Sequence, residues 1–268
     1  SILITKSHLT QREHANIGKI YRLDAAVMSQ LNRKLAIKSS YSKGKLLLKS
    51  ATQFSRLNAS FAEDKIKQLA ISIADTTDSQ YVLFSEIDDL SFGKNRTNAW
   101  KVWKQGTYPR NFDMTLYLYN GLSGEQVWQG NYHNATVWDF NKRKSVDVNT
   151  SVFWQSDYGT MIGSLLDTMV KDIDENVMCE PSEGKIVQVN GNQITINLGQ
   201  HHGVKIGDEF SLLHSRTFTS TQGNSYPGYD VSPYKVKVTQ LTKQSATAKT
   251  LNNRLLDNIQ VNDLAVRY

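Results

Sequence analysis

The stretch INLGQHHGVKIGDEFSLL, residues 196–213, sets His201 and His202 just ahead of the acidic pair Asp208-Glu209. Imidazoles and carboxylates are the usual ligands of zinc and the usual proton carriers of hydrolytic sites. The spacing here argues against both. Neighbouring side chains on an extended chain point to opposite faces, so two adjacent imidazoles cannot readily share one ion. A zinc site would set its ligands four apart on a helix or add a Cys/His cluster, and neither occurs. The glycines instead predict strand, turn, strand. Gly199 and Gly203 free the backbone of the connection. Val204 and Ile206 alternate inward, Gly207-Asp208 bends the chain, and EFSLL resumes pairing. The two histidines then lie at the tip of a solvated loop.

Other chemistry-bearing residues are as thinly supported. His8 and His14 lie in a polar connection without nearby cysteine, which predicts a surface role. Asp88-Asp89 follows the apolar run YVLFSEI and would sit at a strand's C-terminal end, where α/β folds bind ligands. A hydrolytic enzyme using Asp88 and Asp89 is therefore one reading, and a turn-forming acidic pair is the plainer one. Asp167, Asp172 and Asp174 read as the wet side of a helix. The run NKRK, beside Trp138 and Phe140, is a solvated loop or a contact for an acidic partner. Residues 94–110 mix cations with aromatic anchors, as protein interfaces do. Arg96, Trp100, Lys101, Trp103, Lys104 and Arg110 are the candidate partner surface, although the tryptophans would equally serve to cover a sheet edge. Dinucleotide, phosphate-loop, nucleophile-elbow and HExxH motifs are all missing. No catalytic residue, cofactor or metal is assigned.

The elements around these residues follow from periodicity. SILIT is a short buried strand. In YRLDAAVMSQLNRKLAI, Leu23, Val27, Leu31 and Leu35 form one apolar stripe with Met28 beside it, which predicts a helix. A second helix places Ile66, Leu69, Ala70 and Ile73 on one face, with Glu63 and Asp64 at its positive N-terminus. QYVLFSEI is a strand by its aromatic and β-branched content. FDMTLYLYN and EQVWQGNYH alternate at the strand period and flank a Gly-bearing hairpin connection. A third helix buries Ile162, Leu165, Leu166, Met169, Ile173 and Val177, with Ser156 and Asp157 at its cap. Pro181 and Gly184 then break the helical pattern. GKIVQVNGNQITINLG is a hairpin turning at Asn190-Gly191, YKVKVTQLTKQSATAKTL is another, and DLAVRY is a last strand. The expected architecture is an α/β domain over 1–177 followed by a small β-barrel or sandwich over 178–268.

Bulk properties exclude some classes. The 268 residues carry a net charge of +6, but the cations are dispersed and form no stripe, so nucleic-acid binding is disfavoured. No apolar run approaches the roughly 20 residues of a membrane span. Cys179 is the only cysteine, which rules out an internal disulfide and fits either the cytosol or a bacterial periplasm. A first residue of Ser1, with no basic-then-apolar leader, is expected of a processed or shortened form.

Three stretches together resemble the FlgT family of flagellar assembly proteins from bacteria with sodium-driven polar flagella. They are ILITKSHLTQREHANIGKIYRLDAAVMSQLNRKL, MTLYLYNGLSGEQVWQG and CEPSEGKIVQVNGNQITINLGQHHGVKIGDEFSLLH. The resemblance implies the middle and C-terminal parts of a three-domain protein, without its N-terminal domain. It implies that the middle domain is similar to the N-terminal domain of the translocation protein TolB. It further implies a noncatalytic periplasmic component of the basal-body H ring. Such a component self-associates in a ring and helps the stator-associated proteins MotX and MotY to assemble.

Overall fold

The computed structural model describes residues 1–39, 42–48, 63–93, 109–179, 182–219, 221, 223 and 225–267. The chain forms two compact units, Ser1–Val177 and Met178–Tyr268.

In the first unit, β1 (Ile2–Thr5) and β2 (His8–Leu9) lead into a 3₁₀ segment, Arg12–Lys19, and then α1 (Leu23–Lys38). After these come β3 (Gly44–Leu47), α2 (Glu63–Thr77) and β4 (Tyr81–Asp89). The long hairpin of β5 (Pro109–Asn120) and β6 (Gln126–Val137) is followed by the short α3 (Ser151–Gln155) and the long α4 (Asp157–Cys179). The strands form one sheet in the order β3-β1-β4-β5-β6, with β2 also paired to β4. β1 lies parallel to β3 and β4, whereas β4, β5 and β6 are antiparallel. The sheet is mixed because helical connections return the early strands parallel and a tight turn joins the last two.

Helices cover both faces. Ile2, Ile4, Leu83, Phe112, Met114 and Leu116 share a core with Leu23, Val27, Leu31 and Leu35 of α1 and Ile162, Leu166, Met169 and Ile173 of α4. Leu3, Val82, Phe84, Tyr117 and Tyr119 pack on the other side against Ile66, Ala70 and Ala74 of α2. β4 is buried on both faces from Tyr81 to Ile87, which is why it reads as a continuous apolar run instead of alternating. The Ser156 hydroxyl accepts the Gly159 N–H at 3.1 Å and so caps α4 as expected.

The second unit is a closed antiparallel barrel of β7 (Ser182–Asn190), β8 (Gln193–Ile196), β9 (Glu209–Thr219), β10 (Ser225–Leu241), β11 (Ala246–Thr250) and β12 (Leu264–Arg267), in the order β10-β11-β8-β7-β12-β9. Ile186, Ile196, Phe210, Leu212, Val236 and Ala248 fill its interior. Closure removes the edges an open sandwich would leave. Gly191 adopts φ +62° at the β7–β8 turn, the left-handed conformation an Asn-Gly hairpin requires.

Candidate functional site

The two-histidine motif is a brace for the barrel. Gln200–His202 is one turn of 3₁₀ helix, not extended chain. His202 Nδ1 accepts the Gly199 N–H at 2.9 Å, and His201 faces solvent. Gly199 lies so close to the β10–β11 turn that an added Cβ would come within 2.5 Å of the Ser245 nitrogen. Val204 points inward as expected, but Ile206 does not: it is 69% exposed, because the chain has already begun to bend at Gly207 with φ +93°. Asp208 accepts the Lys205 N–H at 2.8 Å and pairs with Arg267 of β12. The acid that looked like a possible ligand therefore ties a turn to a strand. Among the described residues no group of three or more His, Cys, Asp or Glu side chains is placed to hold a metal ion.

Asp88 and Asp89 stand at the C-terminal end of β4, where the β4–β5 register shifts by a bulge. The bulge separates their roles. Asp88 accepts the Thr115 hydroxyl at 2.8 Å. Burial raises its carboxyl above the ordinary value; the Thr115 bond opposes this, while Glu86 and Asp113 add to the rise. Asp89 accepts the Ser91 N–H at 2.7 Å and the Asn111 amide at 3.3 Å, and lies 3.1 Å from His14 Nδ1. His14 is thus held against the end of the sheet, beyond the surface role its sequence setting suggested. Glu86 is nearly fully buried and accepts the Tyr117 hydroxyl at 3.0 Å. These carboxylates are engaged with hydroxyls, amides and backbone N–H groups of their own unit, an arrangement that closes a turn and fixes a bulge.

The candidate partner surface divides. Arg96, Trp100, Lys101, Trp103 and Lys104 lie outside the described residues. Arg110 is described and has no exposed surface. It is a core residue of the first unit, which removes it from the partner surface. Its Nε donates to Leu90 O at 3.0 Å, and its terminal nitrogens donate to Ile17 O at 3.0 Å and His14 O at 2.8 Å. Its guanidinium lies over Trp138 at 4.3 Å, with Phe92 at 5.0 Å and Tyr158 at 5.7 Å. Burial pulls its pKa down to about 10, only partly offset by Tyr158. Planar guanidinium suits this place because it can fork to several carbonyls while stacking on aromatic faces. Trp138 and Phe140, read as neighbours of a basic loop, belong to this same aromatic cluster, 5.0 Å apart. Arg110 welds the 3₁₀ segment, the end of β4 and β5 into one piece.

The acids of α4 also have work inside the fold. Asp167 meets Lys34 at 2.6 Å and Lys38 at 2.8 Å, both on α1. Asp172 accepts the Tyr132 hydroxyl of β6 at 2.6 Å, and Asp174 accepts the Ser39 hydroxyl. These residues therefore border the apolar face instead of lying on the wet side. Partial burial opposes ionisation of Asp167, but hydrogen bonds from the two lysines outweigh it and hold the carboxyl below its ordinary value.

One buried group escaped sequence reading altogether. Asp263, 2% exposed, accepts the N–H groups of Ser215 at 2.9 Å and Gln260 at 2.8 Å and contacts His214 Nδ1 at 2.9 Å. It anchors the outer part of β9 to the loop before β12. A cavity of about 370 Å³ opens beside it, lined by His214, Asp230, Tyr234 and Asp257 among others. An Asp in VNDLAV carries no local signal that two of its partners, His214 and Ser215, lie 49 and 48 residues earlier.

Comparison with known families assigns the two units separately. Residues 1–148 match the model of the flagellar assembly protein T middle domain, and residues 191–267 match that of its C-terminal domain. No curated protein matches the chain. Among solved structures, it is similar to the PelC dodecamer from Paraburkholderia phytofirmans, at 10% identity and a TM-score of 0.39, over 65% of this chain and 86% of that one. It is also similar to the hypothetical protein CT253 from Chlamydia trachomatis, at 11% identity and a TM-score of 0.41, over 67% and 99% of the two chains. The LpoB C-terminal domain from Escherichia coli matches at 19% identity and a TM-score of 0.28, over 51% and 83%.

Proposed function

Because the chain belongs to the flagellar assembly protein T family, we propose that it is a noncatalytic structural part of the flagellar basal body. In this reading it resides in the periplasm as a component of the H ring, supports assembly of that ring, and promotes incorporation of the stator-associated proteins MotX and MotY. The observation that carries the reading is the ordered match of a middle domain and a C-terminal domain along one chain. The use of Asp88, Asp89, Asp167 and Asp208 as internal braces agrees with a structural role. A ring of identical copies requires a heterologous contact, one patch meeting a different patch on the neighbour, with a rotation that closes. The basic and aromatic residues Arg96, Trp100, Lys101, Trp103 and Lys104 are the proposed contact with basal-body proteins.

The test is complementation of a flagellated strain lacking the gene. Exported chain is expressed, basal bodies are purified and imaged, and MotX and MotY are probed in the same fractions. The chain should sediment with basal bodies and raise MotX and MotY there. Chain that reaches the periplasm yet stays out of the basal bodies overturns the proposal. Charge reversal at Lys101 and Lys104 that leaves sedimentation unchanged removes that run from the interface.

A further inference from the structure

The cavity of about 370 Å³ beside Asp263 is formed by two irregular pieces of the barrel unit. On one side the β9–β10 ladder breaks between Val231↔Leu213 and Lys235↔Ser211, so residues 232–234 of β10 face the single residue Leu212. A bulge of that size carries the backbone away from its partner strand and leaves a gap. The loop of residues 251–262 closes the other side. Leu256 and Ile259 pin it to the barrel core, and Asn253 and Asn258 turn it in the left-handed conformation. The resulting volume falls at the small end of ligand pockets, which run from roughly 300 to 1,000 Å³.

The imidazole and carboxylates on its wall are set to accept hydrogen bonds. Asp263 Oδ1 accepts the Ser215 N–H and its Oδ2 the Gln260 N–H, so this buried carboxylate has no proton to offer the His214 ring. His214 Nδ1 therefore carries the proton and donates to Asp263 Oδ2 at 2.9 Å. In the neutral ring that leaves Nε2 as an acceptor. Nε2 has no partner among the described residues, and the ring lines the cavity. Asp257 lines it too, is exposed, and pairs with no cation among the described residues. Asp230 adds a second carboxylate, one oxygen of which takes Arg216. On the far side of Pro233 and Tyr234 a second cavity, of about 280 Å³, carries Lys235 and Arg254 instead. The two spaces share a wall and differ in sign.

We infer that the cavity beside Asp263 binds a guanidinium or ammonium group carried on an alkyl stem. Such a head is positively charged and has several N–H bonds to give, which is what an acceptor-rich wall lacks. It donates to His214 Nε2 and to the Asp257 carboxylate, the second a charge-assisted bond. The methylene stem lies along Pro233 and Tyr234, as the stems of long cations do on apolar surface. Asp263 is a positioning residue: it fixes the His214 tautomer and does not meet the ligand. A free amine and a basic side chain on a partner protein share this chemistry. Binding of either does not depend on the basal-body role.

The test is nuclear magnetic resonance of the full chain, labelled with nitrogen-15, at about pH 8, where an ordinary imidazole is neutral. The chain has six histidines, and His214→Gln identifies the His214 ring signals by their loss. The ring nitrogens should report a proton on Nδ1; a proton on Nε2 removes the acceptor and overturns the inference. Three probes are then titrated: agmatine, the peptide acetyl-Gly-Arg-Gly-amide, and acetyl-Gly-Asp-Gly-amide. At least one of the two cationic probes should shift the His214 ring saturably, with a Kd on the order of 1 mM, and the acidic peptide should not. Agmatine alone binding assigns the site to a free amine. The arginine peptide binding as tightly or more tightly assigns it to a side chain on a partner. No saturable shift with either cation, or equal binding of the acidic peptide, overturns the inference. Asp257→Asn changes an exposed residue and leaves the core intact. It should weaken the cationic probe roughly tenfold or more, the worth of a hydrogen bond to a charged group; unchanged affinity removes Asp257 from the site and overturns the geometry proposed.

Discussion

Replacement of Arg110 tests the inside of the fold most directly. Arg110→Ala leaves three backbone carbonyls, those of Leu90, Ile17 and His14, without donors. Each unsatisfied buried acceptor costs about 1–3 kcal/mol, and loss of the stack on Trp138 costs about 1–2 kcal/mol more. Against this, the variant no longer buries a charge without a carboxylate partner, which recovers several kcal/mol of desolvation, on the order of half the gross loss. The net expectation is a destabilisation of about 3–5 kcal/mol. Arg110→Met keeps most of the volume and should cost about 2–3 kcal/mol. Arg110→Lys should cost at least as much as Met, since it retains the buried charge but cannot fork to three carbonyls and lie flat on an indole. All five tryptophans lie before residue 178, so urea unfolding followed by tryptophan fluorescence reads this unit. Far-ultraviolet circular dichroism follows the secondary structure of both units in the same samples. A surface arginine would change stability by no more than about 0.5 kcal/mol. An Arg110→Ala midpoint within that range refutes the account of a caged guanidinium.

Three other outcomes follow from single contacts. Asp88→Asn keeps an acceptor for Thr115 but cannot ionise. Because the folded state raises the Asp88 carboxyl above its ordinary value, its contribution is full at low pH and is lost as pH rises through the folded value. The variant should therefore gain on the wild type as pH rises above the ordinary carboxylate value of 3.8, and parallel thermal melts at acidic and neutral pH check the sign. Gly203→Ala places a side chain at φ +75° with open space around it and should cost about 1 kcal/mol. Gly199→Ala, which drives a Cβ into the Thr242–Ser245 backbone, should cost more, and barrel melts compare the two directly. Asp263→Ala strips the acceptor from the Ser215 and Gln260 amides and should destabilise the barrel by about 2–4 kcal/mol. Faster hydrogen exchange at those two amides is its signature.

Much of the framework was legible because it is local. The four-residue spacing of Leu23, Val27, Leu31 and Leu35 marks a helix face wherever the chain places it, and all four are buried. The alternation in FDMTLYLYN works the same way: Phe112, Met114 and Leu116 meet one layer, and Tyr117 and Tyr119 the other. Asn190-Gly191 announces its own turn through the dihedral it permits. The 3₁₀ segment at Arg12–Lys19 was missed because its kink at Gly18 leaves no steady period to read. Asp167, Asp172 and Asp174 were misread for a different cause. They flank the apolar stripe of α4, and only the arrival of α1 and β6 turns that flank into a polar seam.

By itself, then, the sequence determined the long helices and most of the strands, the turn at Asn190-Gly191, and, through three stretches of residue pattern in order along the chain, the flagellar assembly family that the two domain matches identify. Tertiary structure decided what each charged residue does. A helix or strand face is set by neighbours within four residues, so its signal lies in the chain. The fate of a charge depends on what is brought within about 3–4 Å of it. Arg110 meets carbonyls 20, 93 and 96 residues away, and Asp263 meets His214, 49 residues away. No local pattern encodes those distances; the packed sheet and the closed barrel do.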